Sequence, residues 1–373
     1  MVFGSGSGMT VRRAMRAGAA ILVIAAGLAV SASPAWANAN APVPARTRVL
    51  MSTKDMAPTA PILVRVFKKE SVLEVWKQTR SGKYDLLKSF PICRWSGQLG
   101  PKRREGDRQA PEGFYSVGPR QMNPNSQFHL SFDIGYPNAY DRAHGGTGAY
   151  LMVHGQCTSS GCYAMTDEQI EEIYALARDA FAGGQRAFQF QAFPFRMTAE
   201  NMARHRTDAN IAFWRQLKEG YDHFEATREE PRVTVAGGRY AFSTGDPEKQ
   251  TIVAAHREGE DQRISKLVED GAASIRTTYA DGGMNAIFKA LAARNEPKLG
   301  VVSRPEALAF AGREVVLTPA RRTELAFANA PEPPPRPADI GGATDGGGLI
   351  AGASPILPAT FTPWPRTRLA FSN

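Results

Sequence analysis

A thiol and an imidazole eight positions apart are the residues of this chain best suited by type to covalent chemistry. Both lie in the stretch AYLMVHGQCTSSGCYAM, from Ala149 to Met165. Cys162 is a useful nucleophile only as thiolate, and His154 can take its proton, so the two form the smallest kit for acyl transfer. An apolar run, Tyr150 to Val153, reads as a buried strand that delivers His154 and Gly155 at its end. A polar loop with the small residues Ser159, Ser160 and Gly161 then leads to the thiol and lets backbone approach a substrate carbonyl. The segment TDEQIEEIYALARDAF, with Asp167 and Glu168 in its first turn, predicts a helix whose free N–H groups favour negative charge. Backbone N–H groups of Gly161, Cys162 and Tyr163 are therefore candidate oxyanion donors.

Two other readings compete for these residues. Cysteine is among the most buried residue types, so a Cys near a His is often packing. His154, Cys157 and Cys162 also offer three zinc ligands within nine residues. A structural zinc site needs a fourth ligand, and the spacing matches no common signature. The acyl-transfer reading needs no metal or organic cofactor.

The elements that must position the pair begin upstream. ILVRVFKK, VLEVWKQ and YDLLKSFPI are short runs separated by turn residues, which predicts an antiparallel meander from Ile62. Lys102, Arg103 and Arg104 lie in a Gly-, Pro- and charge-rich stretch and read as a solvated loop or, alternatively, as cations facing the carboxylates of a peptide substrate. GYPNAYDRAHGGTGAY carries turn residues just before the catalytic strand, so Tyr136, Asn138, Asp141 and Arg142 are candidates either to touch substrate or to cap one another; His144 reads as surface. After Cys162, the spacing of Ile170, Ile173, Tyr174, Ala177 and Phe181 predicts an amphipathic helix ending at Gly183 and Gly184. FQFQAFPF alternates like a strand. AENMARHRTDANIAFWRQLKEGYDHFE then reads as a second helical stretch, with Trp214 and Leu217 on its packed face.

With 373 residues, 43% of them hydrophobic, the chain is long enough for one sizeable core with appendages or for two domains. Residues 1–37 read as an export signal: a basic VRRAMR, an apolar AGAAILVIAAGLAVSA and the cleavage motif Ala35-Trp36-Ala37. The net charge of +9 drops by three, to +6, once Arg12, Arg13 and Arg16 leave with it, and no nucleic-acid motif is present. Residues 38–61 are Ala/Pro-rich and read as a linker, 62–230 as the catalytic domain, 231–328 as a C-terminal region, and 329–373 as a Pro/Gly-rich disordered tail. Within 231–328, VTVAGGRYAFS reads as a hairpin, TIVAAHREGEDQRISKLVEDG and GGMNAIFKALAARN as helices; chemistry is expected to survive truncation near Glu230. Three cysteines in an exported chain raise the question of a disulfide. If Cys162 stays free, Cys93 and Cys157 are the remaining pair, and two unpaired cysteines are the equal alternative.

The block HGQCTSSGCYAM resembles the His-Gly, then Ser-x-Gly-Cys, signature of YkuD-type L,D-transpeptidases, in the compact form of the YafK-like murein branch. PICRWSGQLGPKRREGDRQAPEGFYSV, LSFDIGYPNAYDRAHGGTGAYLMVHG, FPFRMTAENMARH and FWRQLKEGYDHFE extend the similarity over Ile62 to Glu225. The resemblance implies a mostly β YkuD-like fold with helical additions, of α+β class, with Cys162 as nucleophile, His154 as general base and Gly161 in the turn that shapes the oxyanion site. Better-known members carry His before Gly-Cys and Arg two places after Cys, where this chain has Ser160 and Ala164. Arg196 and Arg142 are the candidate replacements for that arginine.

The implied activity is an exported, periplasmic acyl transfer on peptidoglycan stem peptides, from a meso-diamino acid to an amine. The amine belongs to another stem, giving a crosslink, or to a lysine of an outer-membrane lipoprotein, giving an anchor. Hydrolysis at the same Cys-His site, trimming stems or detaching the lipoprotein, is the first alternative; a non-catalytic wall-binding protein is the second. The sequence assigns no oligomeric state.

Overall fold

The computed structural model describes residues 38–318; the expected export signal over 1–37 and the tail over 329–373 lie outside the described residues. In chain order the strands are β1 (Ile62–Phe67), β2 (Val72–Gln78), β3 (Tyr84–Pro91), β4 (Arg94–Trp95), β5 (Gly113–Val117), β6 (Met122–Ser126), β7 (His129–Asp133), β8 (Met152–His154), β9 (Tyr163–Ala164), β10 (Phe188–Phe193), β11 (Arg232–Ala236), β12 (Arg239–Ser243), β13 (Ser274–Thr278) and β14 (Arg313–Thr318). The helices are α1 (Ala45–Thr53), α2 (Ala139–Ala143), α3 (Asp167–Ala182), α4 (Ala199–Arg204), α5 (Ile211–Thr227), α6 (Pro247–Glu269) and α7 (Ala286–Ala292).

Two five-stranded sheets form the centre, in the orders β3-β2-β1-β10-β5 and β4-β9-β8-β7-β6. The meander expected from the runs after Ile62 is present, with β1, β2 and β3 paired antiparallel. β10 lies parallel to β1, and both are buried along their whole length. Its Phe188 and Phe190 meet Phe132 and Tyr163 of the second sheet at ring-centroid distances of 5.6 and 5.9 Å. The intervening Gln189 and Gln191 point the other way, where Gln189 Nε2 donates to Pro231 O and Gln191 Nε2 to Gln189 Oε1. Alternation in β10 thus separates an apolar core face from a buried polar one, and no face of it meets water.

α3 starts at a capping box, with the Thr166 Oγ1 accepting from the Gln169 N–H and the Gln169 Oε1 from the Thr166 N–H. Ile170, Ile173, Tyr174 and Ala177 are buried, as their spacing requires. The second helical stretch is broken into α4 and α5 at His205–Asn210, where the Asp208 carboxylate takes the Asn210 N–H and stops helix propagation. Trp214 and Leu217 are fully buried.

Two boundaries differ from expectation. The supposed linker contains α1, whose Thr47 and Met51 share one face and are buried, with Thr47 Oγ1 donating to Glu172 of α3 at 2.5 Å. Val43 and Met56 are also buried, and burying Met51 alone contributes about 1.5–3 kcal/mol. Apolar residues spaced one per turn among Ala, Pro and Arg had masked a packed segment. The C-terminal region carries the expected β11–β12 hairpin, turning at Gly237 and Gly238 with φ of +57° and +72°, and helices α6 and α7 where two were expected. It also adds a β13–β14 pair absent from the expected elements, and returns to the sheet of β8 and β9: Trp95 and Gly283 form a β-bridge.

Candidate active site

β8 is central to the site. On one side it pairs antiparallel with β7, Ser131 opposite His154 and Asp133 opposite Met152. On the other it pairs parallel with β9, Val153 opposite Tyr163 and His154 opposite Ala164. Parallel neighbours ordinarily need a crossover of a dozen residues or more. Here only Gly155 to Cys162 intervene, so the loop must double back tightly and be held from outside.

Four ties hold it. Cys157 is disulfide-bonded to Cys93, which resolves the open question of that pair and removes Cys157 from any zinc site. The Gly161 N–H donates to Ser96 Oγ at 2.6 Å, and Ser159 Oγ to Cys162 O at 2.7 Å. The Ser159 N–H donates to Ser303 Oγ at 2.9 Å, from the C-terminal region. Gly155 leaves no space for a side chain, since a Cβ there would lie 2.6 Å from Asp167 Oδ1. Gly161 has φ of +119°, a backbone state that favours glycine.

Because Val153 and Tyr163 face the core, strand alternation puts His154 and Cys162 together on the opposite face, as diagonal neighbours across β8 and β9. The sulfur of half-buried Cys162 accepts the Met152 N–H at 3.4 Å and lies 3.9 Å from Tyr150 O. His154 is buried under Phe128, with ring centroids 4.7 Å apart. Its Nδ1 lies 2.6 Å from Gly155 O; a carbonyl can only accept, so Nδ1 carries the proton and Nε2 keeps its lone pair. Burial holds the imidazole below its ordinary pKa against the Gly155 carbonyl and Asp167. Burial likewise pushes the thiol up, opposed by the Met152 N–H, raised further by Asp133 and lowered by Lys102. The resting pair is thus a neutral thiol beside a neutral base.

Of the candidate oxyanion donors, Gly161 spends its N–H on Ser96, and Tyr163 lies inside the ladder with its hydroxyl donating to Pro111 O at 2.5 Å. The Cys162 N–H makes no hydrogen bond among the described residues and is left for the role.

The substrate-contact candidates fare differently. Asn138 and Asp141 cap α2 reciprocally, Asn138 also donates to Phe114 O and Tyr240 Oη, and Asp141 is buried. Tyr136 is buried and bonds Thr147 O. Arg142 is exposed, and its guanidinium folds back on Pro137 O. Arg196 pairs with Glu74 of the first sheet at 2.5 Å and stacks over Phe67, in contact with neither Cys162 nor its loop. Tyr136, Asn138, Asp141 and Arg196 spend their polar groups on structural contacts, so Arg196 is corrected as a replacement for the arginine, while Arg142 keeps an exposed side chain.

The sequence reading missed the charges that do reach the loop. Lys102, read as solvated or as facing substrate carboxylates, is buried and pairs with Asp107 at 2.5 Å, its charge favouring the Cys162 thiolate against burial. Arg108 donates to Ser160 Oγ at 3.0 Å and Ser159 O at 3.1 Å. It is held in turn by Asp281, whose Oδ2 lies 2.7 Å away. Their only signal was a charge-rich loop, which has no period that marks burial.

The L,D-transpeptidase catalytic domain (YkuD) model matches residues 61–183. "Putative L,D-transpeptidase YafK" of Escherichia coli strain K12 is 47% identical over 197 residues, covering 53% of this chain and 80% of that protein, and the O157:H7 protein of the same name gives the same figures. Among solved structures, the helical cell shape determining protein Pgp2 of Campylobacter jejuni is 16% identical, covering 62% of this chain and 80% of that one, with a TM-score of 0.29, too remote to add to the argument. With a Cys-His face inside the matched segment and nearly half the residues shared along most of a relative, this α+β chain belongs to the YkuD L,D-transpeptidase family.

Proposed function

We propose that the protein is an exported L,D-transpeptidase that works on peptidoglycan stem peptides through a thioester on Cys162. The observation that carries the reading is the shared face of β8 and β9, with a free His154 Nε2 and a thiol fixed by the Met152 N–H. His154 takes the thiol proton, and the thiolate attacks the carbonyl of the meso-diamino acid. Charge developing on the carbonyl oxygen meets the Cys162 N–H. The imidazolium then protonates the departing D-amino acid, leaving the thioester. Arg108, a third exposed beside Ser160, offers the carboxylate of that D-amino acid a cation where Ala164 gives none.

An acceptor amine resolves the thioester. A stem peptide gives a crosslink, and a lysine of an outer-membrane lipoprotein gives an anchor. Incubating the purified protein with defined muropeptides and weighing the products tests this. A dimer supports transpeptidation, a shortened or released product replaces it with hydrolysis, and unchanged substrate leaves a wall-binding protein. Export predicts an envelope fraction whose mature N-terminus follows Ala37.

A further inference from the structure

The face that carries His154 and Cys162 also carries a carboxylate with no assigned task. Asp133 ends β7 opposite Met152, a position whose own N–H reaches Cys162 Sγ. Asp133, Met152 and Cys162 therefore stand in a row across three neighbouring strands, about 10 Å from first backbone to last at ~4.8 Å per strand.

Asp133 is half-buried, and Oδ1 takes the Gly135 N–H at 2.7 Å. It forms no ion pair among the described residues, and burial raises it against that one hydrogen bond. Its charge opposes formation of the thiolate, whereas Lys102 favours it. An unpaired carboxylate two strands from the thiol, on the same face, suits a positively charged acceptor at the thioester.

We infer that Asp133 binds the ammonium group of the acceptor and takes its proton. This rests on the thioester reading above. The ammonium gives one proton to the Asp133 carboxylate, and the freed lone pair attacks the thioester carbon. A C–N bond forms, the C–S bond breaks, and the second amine proton passes through His154 to the departing thiolate. The products are an amide, a neutral thiol and one proton that Asp133 returns to solvent. Water reaches the thioester without this ion pair, so Asp133 favours aminolysis over hydrolysis.

The test uses the full-length protein with a stem tetrapeptide as donor and a stem tripeptide bearing the free side-chain amine as acceptor. Intact-protein mass spectrometry follows the thioester, and product masses give the ratio of dimer to hydrolysed donor. Asp133→Asn keeps the shape and the acceptor for Gly135, so the thioester still accumulates while the ratio falls tenfold or more; Asp133→Glu restores part of it. Hydroxylamine, uncharged at neutral pH, should suffer far less from the substitution than the ammonium acceptor. An unchanged ratio, or an equal loss with hydroxylamine, overturns the role of Asp133. Absence of the thioester in the wild type overturns the parent reading and this one with it, and the mass readout tells the two failures apart.

Discussion

Replacing Asp281 with Ala tests whether the C-terminal region holds the loop that leads to Cys162. Asp281 is 3% exposed and faces three guanidiniums: Arg108 at 2.7 Å, Arg304 at 3.4 Å and Arg94 at 3.5 Å, while its Oδ1 takes the Gly97 N–H. Arg94 is fully buried, so removing the carboxylate strands its charge, a change that typically costs 3–5 kcal/mol. Arg94 keeps carbonyl partners at Ser303 and at position 281, and the other two arginines can turn to water, which favours the low end, about 3 kcal/mol. For the 281 described residues, at about 2.1 cal/mol/K of unfolding entropy each, that lowers Tm by roughly 5 °C. Burial raises the Asp281 pKa, but Arg108, the Gly97 N–H and Arg94 outweigh it and hold it below 3.8. The stabilisation is therefore full above that value and lost as pH falls through the lower folded one, so wild type and variant should converge in strong acid. Because Arg108 loses its anchor beside Ser159 and Ser160, thioester formation should slow as well. Scanning calorimetry against pH, with acylation rates on the folded variant, measures both. A loss under ~1 kcal/mol with an unchanged acylation rate would refute the reasoning.

Cys162→Ala should show no adduct when the full-length protein is incubated with a stem peptide or a carbapenem and weighed intact; an adduct on that variant removes Cys162 from the chemistry. His154→Ala should alkylate slowly near neutral pH and recover as pH rises, because its thiol must ionise unaided. In the wild type, burial keeps His154 a neutral base to below 6.5 and Cys162 a thiol to above 9.0, so the acid limb of the rate profile should fall below 6.5; superimposable profiles exclude His154. A chain ending at Glu230, first expected to retain chemistry, should acylate at least tenfold slower or fail to fold, and full acylation by the truncated chain would show that the later contacts are dispensable.

The strand and helix periods made β1, β2, β3, α3, the buried face of α5 and the β11–β12 hairpin legible in the sequence, because apolar spacing reports which side of an element is buried. The Cys-His stretch was legible because its chemistry and its glycine are local. Charges were not. Arg108 owes its position to Asp281, which lies 119 residues after Cys162, while Lys102 and Asp133 reach the site only through the pairing of strands and loops around them. Of the two roles open to Asn138 and Asp141, capping is the one they take, and Arg196 pairs with another sheet: a polar residue near a site in sequence is as able to do either as to face a ligand.

A parallel pair of short strands joined by eight residues has few hydrogen bonds of its own, since β9 spans only Tyr163–Ala164. Such a loop closes cheaply but gains little internal packing, so its geometry depends on what surrounds it. Cys93 fixes its middle through the disulfide to Cys157, Ser96 fixes Gly161, and Ser303 with Arg108 fixes Ser159. The disulfide is itself buried with Met284, Phe288 and Leu299, so the same C-terminal segment covers one tie and supplies another. Preorganisation of the thiol is therefore shared between the family's segment and residues well beyond it. That division explains how the Cys-His pair can sit in a matched stretch of 61–183 while its rigidity depends on residues 281–303.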